Sequence, residues 1–178
     1  MVEELKNNFV YCPRCGKNKL TVKSPKSFEC NDCGFIFYIN VAASVAAIIT
    51  DESKRVLIAI RKNDPAKDTW DLPGGFVDPD ETIEECLVRE IVEELNIEIT
   101  EAEYFCSFPN KYQYKGITYS TIDLTFICKV EDFSLLKAAD DVKAYIFCPV
   151  GELKPENFGL DSIKKIIEHY VAYVNNQK

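Results

Sequence analysis

The spacing of apolar and polar residues predicts a chain of short strands interrupted by one helix and closed by another. Strand-like runs are short, rich in β-branched and aromatic residues, and bounded by polar turns. They fall at residues 35–50, 55–61, 97–107, 118–130 and 144–150. A stripe at helical spacing over residues 163–174 predicts a C-terminal helix, with Asp161 as its capping residue. Strands flanked by helices indicate an α/β fold with a mixed sheet between helices.

The most informative helix is predicted over residues 80–95, after the acidic lead-in Asp78-Pro79-Asp80. At about 100° per residue, Glu90, Glu93 and Glu94 share one narrow stripe of this helix. The stripe borders an aliphatic face that we expect to be buried. That face comprises Leu87, Val88, Ile91, Val92 and Leu95.

Three carboxylates beside a buried face repel one another, and Arg89 alone cannot neutralise them. A divalent cation resolves the conflict, because Mg²⁺ prefers a few carboxylate oxygens and leaves room for waters and substrate phosphates. An acidic run of this kind is more often a solvated face, so the surrounding residues must decide between the two interpretations.

Those residues resemble the Nudix box, G-x5-E-x7-R-E-U-x-E-E-x-G-U with U aliphatic. The matching positions are Gly75, Glu81, Arg89, Glu90, Ile91, Glu93, Glu94 and Ile97. The last glycine of the pattern is replaced by Asn96, the next most tolerant residue of the left-handed conformation that closes helices. The preceding Trp70-Asp71-Leu72-Pro73-Gly74 also looks like the entry to this box.

The resemblance implies a Nudix α/β/α sandwich that hydrolyses a nucleoside diphosphate linked to another moiety. It also implies Mg²⁺ or Mn²⁺ held by Glu90, Glu93 and Glu94, with the Gly74 carbonyl facing the metal. Arg89 and Glu81 would orient the box, and either Glu93 or Glu94 could be ligand or base. Phosphate repulsion explains why such chemistry needs a cation and an oriented water.

Two C-x2-C knuckles precede this domain, Cys12–Cys15 and Cys30–Cys33, each followed by glycine. Four thiolates at this spacing predict a structural Zn²⁺ site in a zinc ribbon, since so short a segment cannot bury its own core. A redox pair is the alternative interpretation. We therefore expect a zinc ribbon at residues 1–37 and the Nudix domain at 38–178.

The net charge of the ribbon helps to distinguish a structural role from nucleic-acid binding. Residues 1–35 carry a net charge of +2, which a four-thiolate zinc site of about −2 would cancel. A structural or homodimerising role is therefore favoured over nucleic-acid binding.

Overall charge and patterning limit the compartment and the partners. The net charge of −8 disfavours attraction to nucleic acid or anionic membranes. Neither a secretory signal nor a run long enough to span a bilayer is visible, which favours a cytoplasmic protein without a membrane partner. The other cysteines, Cys86, Cys106, Cys128 and Cys148, are expected in the core.

Substrate recognition is less specified. The tyrosine-rich segment 107–119 predicts a substrate-contacting hairpin with Tyr112 and Tyr114 stacking a base, although a half-exposed hairpin is an equal alternative. Asp140 and Asp141 could add a late-loop carboxylate, as in some Nudix enzymes. Trp70 is expected to anchor the core, and His169 is assigned no role.

The order of ribbon and box resembles NADH pyrophosphatases. Of their S-Q-P-W-P-F-P-x-S motif, only Ser107, Pro109 and an aromatic at Tyr112 are kept, so NADH, ADP-ribose and other nucleotides stay open as substrates. A nucleotide-sensing binding module whose ribbon contacts a partner or nucleic acid is the alternative function.

Overall fold

The computed structural model describes the backbone of residues 2–177 and the side chains of residues 4–177. Its residues divide into two compact units. One contains the chain up to Val41 together with Lys111–Ser120, and the other contains Ala42–Asn110 and the chain from Thr121 onwards.

The first unit is built on a three-stranded antiparallel sheet, ordered β1–β2–β3. Its elements are α1 (Val2–Leu5), β1 (Leu20–Ser24), β2 (Ser27–Cys30) and β3 (Ile36–Tyr38). Its apolar centre is small, because Leu5 and Phe28 are the buried members, with Phe9 and Ile117 among the side chains packed on them. Ile117 lies just after a two-residue turn, Lys115-Gly116, where both residues have positive φ (47° and 80°).

Two further three-stranded sheets are ordered β4–β8–β7 and β6–β5–β9, and they belong to the second unit except for the ends of β7 and β8 within Lys111–Ser120. The strands are β4 (Ala42–Ile49), β5 (Arg55–Arg61), β6 (Trp70–Asp71), β7 (Glu101–Tyr114), β8 (Ile117–Lys129) and β9 (Val142–Pro149). β4 pairs parallel to β8, whereas β5 pairs antiparallel to β6 and β9. The helices are α2 (Ile83–Leu95) and α3 (Asp161–Asn176), with 3₁₀ turns at Val150–Glu152 and Pro155–Asn157.

Alternate residues of β4 supply two separate cores. Val45, Ala47 and Ile49 pack with α2, whereas Ala46 and Ile48 pack with α3. Because successive side chains of a strand point to opposite faces, a strand covered on both sides is apolar on both, as this one is from Val45 to Ile49. The predicted α/β/α sandwich with a mixed sheet is confirmed.

Details of two predictions differ. Val88 and Val92, expected on the buried face of α2, are 47% and 42% exposed. The buried aliphatic face of α2 is therefore narrower than predicted, with Leu87, Ile91 and Leu95 as its buried members. Asp161 does not cap α3 with its side chain: Leu160 is the N-cap residue and Asp161 begins the helix.

Trp70 and His169 both contact aromatic rings. Trp70 is half-buried and packs edge-to-face on Phe158, with ring centroids 5.8 Å apart. His169 is exposed, and its ring lies 5.0 Å from that of Phe105. Among residues 2–177, no helix is long and apolar enough to cross a membrane.

Candidate functional site

A glycine turn brings the entry strand to the box helix. The turn is bound to β4 by the amides of Val45 and Ala47, which donate to the carbonyls of Gly75 and Pro73, both at 2.8 Å. Gly74 has φ of 141°, and a Cβ placed there would lie 2.2 Å from the Val45 carbonyl oxygen. Only glycine fits this position, because both the dihedral angle and the close backbone exclude a side chain.

The box helix α2 has its own start and stop signals. Thr82 is the N-cap residue and forms a capping box with Glu85, in which each side chain accepts from the other residue's amide. At the other end Asn96 adopts the left-handed conformation, with φ of 54° and ψ of 39°, and its amide donates to the Val92 carbonyl at 2.9 Å. The tolerance of asparagine for this conformation explains why it can replace the expected glycine.

Glu94 is the most buried of the predicted metal-binding carboxylates, with 6% of its surface exposed. The Gly74 amide donates to its Oε2 atom at 2.8 Å. Burial raises the pKa of Glu94 to about 8, and the nearby acids Glu90, Asp71 and Asp141 act in the same direction. The ionised form is therefore destabilised unless a cation approaches.

Glu90 lies directly beside the second glycine of the turn. A Cβ on Gly75 would come within 2.3 Å of Glu90 Oε1 and 2.5 Å of Oε2. Burial raises the pKa of Glu90 as well, with Glu93 and Asp140 adding to the effect and Arg89 opposing it. The glycine pair thus admits the buried Glu94 and the largely buried Glu90 at the place where the turn meets the helix.

Arg89 organises the acidic side of the helix. Its guanidinium donates to both carboxylate oxygens of Glu81, from Nε at 2.7 Å and from Nη2 at 2.9 Å. Nη1 donates to Glu90 at 2.8 Å and to Glu93 at 3.2 Å, and Nη2 also reaches the Phe76 carbonyl at 3.1 Å. The hydrogen bonds from Arg89 lower the pKa of Glu81 to about 2. This geometry supports an orienting role for both residues.

Glu93 is the most accessible of the three, with 49% of its side chain exposed. The late loop is bound to the end of the same helix, because the Ala139 amide donates to the Glu94 carbonyl at 2.8 Å. Asp140 and Asp141 follow at once in this loop, and Asn63 donates to the Asp141 carboxylate at 2.7 Å. The charge of Asp140 helps to raise the pKa of Glu90, and that of Asp141 helps to raise the pKa of Glu94. The loop is therefore close enough to add negative charge to the site.

The chemistry of this donor set fits a divalent cation. Glu90 and Glu94 are desolvated acids surrounded by further acids, and hard oxygen ligands with surplus negative charge are what Mg²⁺ requires. Arg89, which donates to Glu90 and Glu93, has no described hydrogen bond to Glu94 among residues 4–177. Among residues 4–177, however, the four knuckle cysteines are the one group of three or more potential ligands whose donor atoms already lie together, and Arg89 binds Glu90 and Glu93. That Glu90, Glu93 and Glu94 bind an ion together stays a prediction.

Sequence reasoning missed two buried acids near the turn. Asp71 pairs with Arg61 and accepts from the Leu72 amide at 2.9 Å, which holds the start of the turn. Asp123, on β8, accepts hydrogen bonds from Ser44 and Ser162. A lone acid in an apolar strand pattern was the available signal for Asp123, because buried acids need partners.

The first unit brings the four knuckle cysteines together. Their Sγ atoms all lie within 4.8 Å of one another, and the pairs Cys12–Cys33 and Cys15–Cys30 are each 3.7 Å apart. A tetrahedron with Zn–S bonds of about 2.3 Å has edges of about 3.8 Å. The cluster therefore fits zinc. All eight cysteines of the chain are free of disulfides.

Backbone turns support this cluster. Gly16 and Gly34 have positive φ, and their amides donate to the carbonyls of Cys12 and Cys30 at 2.8 and 2.9 Å. The amides of Cys33 and Asp32 are directed at the sulfur of Cys30 and lower its pKa to about 7, and the Lys17 amide is directed at the sulfur of Cys15. Glycine thus provides the turn, and its neighbours stabilise the thiolate.

Tyr112 and Tyr114, the predicted base-stacking residues, lie at the tip of the β7–β8 hairpin. The structure groups this tip, Lys111–Ser120, with the first unit, whereas the box belongs to the second. Tyr112 is half-buried and Tyr114 is 43% exposed. Their contact with a substrate stays a prediction.

Comparison with known proteins agrees with the residues described above. Residues 41–170 match the NUDIX domain family model. An ADP-ribose pyrophosphatase of Methanocaldococcus jannaschii is 35% identical over 146 residues, covering 78% of each chain. The NAD-capped RNA hydrolase NudC of Pseudomonas putida is 24% identical over 166 residues, and the match covers 91% of this chain but only 56% of NudC.

Solved structures share the fold. A NUDIX hydrolase from Nitrosomonas europaea superposes with a TM-score of 0.68 at 22% identity, over 91% of this chain and 90% of that one. The NUDIX domain of Shewanella oneidensis NrtR, solved with ADP ribose, gives a TM-score of 0.62 at 20% identity, over 76% of this chain and 89% of that one. With its box helix, glycine turn and matching family model, the chain belongs to the NUDIX family.

Proposed function

We propose that the protein is a divalent-metal-dependent hydrolase that cleaves the pyrophosphate bond of a nucleoside diphosphate linked to a second moiety. The enzyme class, Nudix pyrophosphohydrolase, follows from the family and from its relatives. The observation that carries the proposal is the pair of carboxylates at the Gly74-Gly75 turn, Glu94, which is buried, and Glu90, whose side chain is 12% exposed. Carboxylates so desolvated are costly to the fold unless a cation uses them.

The residues divide the work in the following way. Glu90, Glu93 and Glu94 would hold Mg²⁺ or Mn²⁺, with the Gly74 carbonyl as a further oxygen donor. When bound, such an ion neutralises phosphate charge and lowers the pKa of a coordinated water. Arg89 fixes the directions of Glu90 and Glu93, and Glu81 fixes Arg89. Glu93, the exposed member, is the carboxylate best placed to exchange a proton with solvent water.

Asp140 and Asp141 are second candidates for that proton transfer. The amides of Lys137 and Ala139 donate to the carbonyls of Leu95 and Glu94, which keeps this loop beside the end of α2. Asp140→Asn and Glu93→Gln, made singly and together, would distinguish Asp140 from Glu93 as the general base. The base is the residue whose replacement flattens the acidic limb of the pH–rate profile.

ADP-ribose is the first substrate to test. The relative that matches over 78% of its length is named an ADP-ribose pyrophosphatase, and one structural neighbour was solved with ADP ribose. NADH is a second choice, because the downstream motif of the NADH pyrophosphatases is only partly kept. Phosphatase-coupled release of phosphate from a panel of nucleotides would rank them.

The decisive variant is Glu94→Gln, measured at saturating Mg²⁺. Turnover should fall by at least about 10³-fold, because the buried ligand loses its charge. Glu98→Gln, an exposed change of the same chemistry just beyond the helix, is the matched control and should keep wild-type turnover. Retained turnover in Glu94→Gln would reject the assignment.

The zinc site and the compartment complete the proposal. We assign a structural Zn²⁺ to Cys12, Cys15, Cys30 and Cys33, with residues 1–37 as the ribbon and 38–178 as the catalytic domain. A cytoplasmic location suits a protein that uses four cysteines for zinc and joins none of the eight in a disulfide. Tight nucleotide binding by calorimetry, without hydrolysis of any nucleotide in the panel, would favour the sensing module instead.

A further inference from the structure

The first unit differs from the rest of the chain in charge. As the structure delimits it, the unit contains the hairpin tip as well as the ribbon. The tip adds Lys111 and Lys115 and no acid, so the unit has eight basic and four acidic residues, a net charge of +4. Since the whole chain carries −8, the other unit carries −12. Even after about −2 from a four-thiolate zinc site, the first unit stays positive.

The acids of this unit are largely occupied. Lys17 pairs with Asp32 at 2.7 Å, and Lys23 pairs with Glu29 at 3.0 Å. Five further cations of the unit are exposed, and among residues 4–177 no ion pair is described for any of them. They are Arg14, Lys19, Lys26, Lys111 and Lys115. An anionic partner could therefore bind these cations without breaking a described ion pair.

Exposed tyrosines share this unit. Tyr11 is 65% exposed, Tyr38 53%, Tyr119 45% and Tyr114 43%. The Lys115 ammonium lies 5.0 Å from the centre of the Tyr114 ring, which joins the two kinds of group at the hairpin turn. Exposed tyrosine rings are surfaces on which nucleic-acid bases can stack, so they add a second kind of binding group to the cations.

We propose that the first unit binds single-stranded nucleic acid. Cations that neutralise phosphates, interleaved with rings on which bases stack, are the usual composition of single-strand surfaces. Single strands are favoured over duplexes, because stacking on tyrosine requires bases that are not already paired and stacked. This activity goes beyond the proposed hydrolysis and does not depend on it. The net charge of residues 1–35 alone favoured a structural role over nucleic-acid binding. The hairpin tip adds Lys111 and Lys115 to the unit and reverses that preference.

The test is fluorescence anisotropy of a 3′-labelled A12 RNA with the zinc-loaded protein, without Mg²⁺, in 50 to 200 mM KCl. Binding should weaken with salt, by a slope of about −0.7 per phosphate contacted. Lys111→Glu/Lys115→Glu should weaken binding by at least about tenfold and reduce the slope, whereas Tyr114→Ala should weaken it about fivefold or more at unchanged slope. Zinc content and circular dichroism verify that each variant is folded.

Lys165→Glu, an exposed charge reversal in the other unit, is the control and should bind within twofold of the wild type. Absence of binding at 50 mM KCl would overturn the proposal. So would equal weakening by Lys165→Glu, or a poly-glutamate peptide binding as tightly as the RNA, which would indicate an acidic protein partner. ADP-ribose hydrolysis, measured separately, tells a failure of this inference from a failure of the proposed function.

Discussion

The amide of Gly74 donates to the buried carboxylate of Glu94 at 2.8 Å, although the two residues are 20 positions apart. This bond joins the glycine turn to the last turn of the box helix. It also stabilises one charged oxygen of an acid that is otherwise desolvated. Turn and helix therefore depend on each other, and the following substitutions should reveal this.

Gly74→Ala should unfold the site. The new methyl group would meet the Val45 carbonyl oxygen at 2.2 Å, in a backbone conformation with φ of 141°. We expect a loss of roughly 2–4 kcal/mol of unfolding free energy in urea titrations, together with loss of turnover. Gly151→Ala, where a Cβ meets nothing within 4 Å, is the control. Equal stability of the two variants would contradict the account of the turn.

Gly75→Ala should separate chemistry from stability. Here the methyl group meets the end of the Glu90 side chain, at 2.3 Å from Oε1, and that side chain can swing away. We expect a loss of stability within about 1 kcal/mol, but a Mg²⁺ requirement raised by at least tenfold. Titration of turnover against Mg²⁺ gives the answer, and an unchanged requirement would show that Glu90 is not a metal ligand.

Asn96 tests the end of the box helix. Asn96→Gly relieves the left-handed backbone but removes the bond from Nδ2 to the Leu135 carbonyl, which is 3.0 Å long. These effects oppose each other, so the change should stay within about 1 kcal/mol. Asn96→Ala loses the bond and keeps the strain, and should cost about 1–2 kcal/mol. Thermal melts of both variants would show the order, and the reverse order would refute it.

Glu94 predicts how stability depends on pH. Its pKa rises from 4.5 to about 8 on folding, so the folded state binds more protons than the unfolded state in this interval. The stabilisation from the protonated form is complete below 4.5 and is lost as the pH rises through 8. With zinc retained but no Mg²⁺ or Mn²⁺ added, wild type should lose on the order of 5 kcal/mol over this range relative to Glu94→Gln.

Added Mg²⁺ should restore the melting temperature of the wild type at pH 8 and leave Glu94→Gln unchanged. A chelator is avoided because it would remove the zinc as well. Parallel pH profiles for the two proteins would mean that Glu94 ionises as freely in the folded chain as in the unfolded one.

The cysteine cluster should contain one zinc per chain by elemental analysis. Cys30→Ser should abolish zinc retention and melt the first unit, because its buried apolar centre is too small to fold alone. Cys106→Ser changes a half-buried thiol outside the cluster and should keep the metal. Full zinc content in Cys30→Ser would rule out the four-thiolate site.

Local sequence patterns predict much of this structure. β5 was predicted at its observed bounds, Arg55–Arg61, because polar turns enclose an uninterrupted apolar run. The cysteine cluster followed from spacing alone, since ligand identity and turn chemistry are both local properties. The box carboxylates likewise share one helix, so periodicity was sufficient to group them.

Long-range partners were not predictable in the same way. Nothing in the sequence indicates that Asp123 receives hydrogen bonds from Ser44 and Ser162, since these residues meet only when β4, β8 and α3 assemble. The exposure of Val88 and Val92 had the same cause, because the width of a buried helix face is set by its neighbours. The hairpin tip could not be grouped with the ribbon for that reason as well.

The capping box of α2 uses Thr82 and Glu85, and its C-terminal stop uses Asn96. None of these is among the acids that would perform the chemistry. A library randomised at Glu90, Glu93 and Glu94 would thus retain the residues that begin and end the helix. Glu94 also accepts the hydrogen bond from the Gly74 amide, so its replacement should weaken the turn, whereas the exposed Glu93 can be replaced without disturbing these helix boundaries.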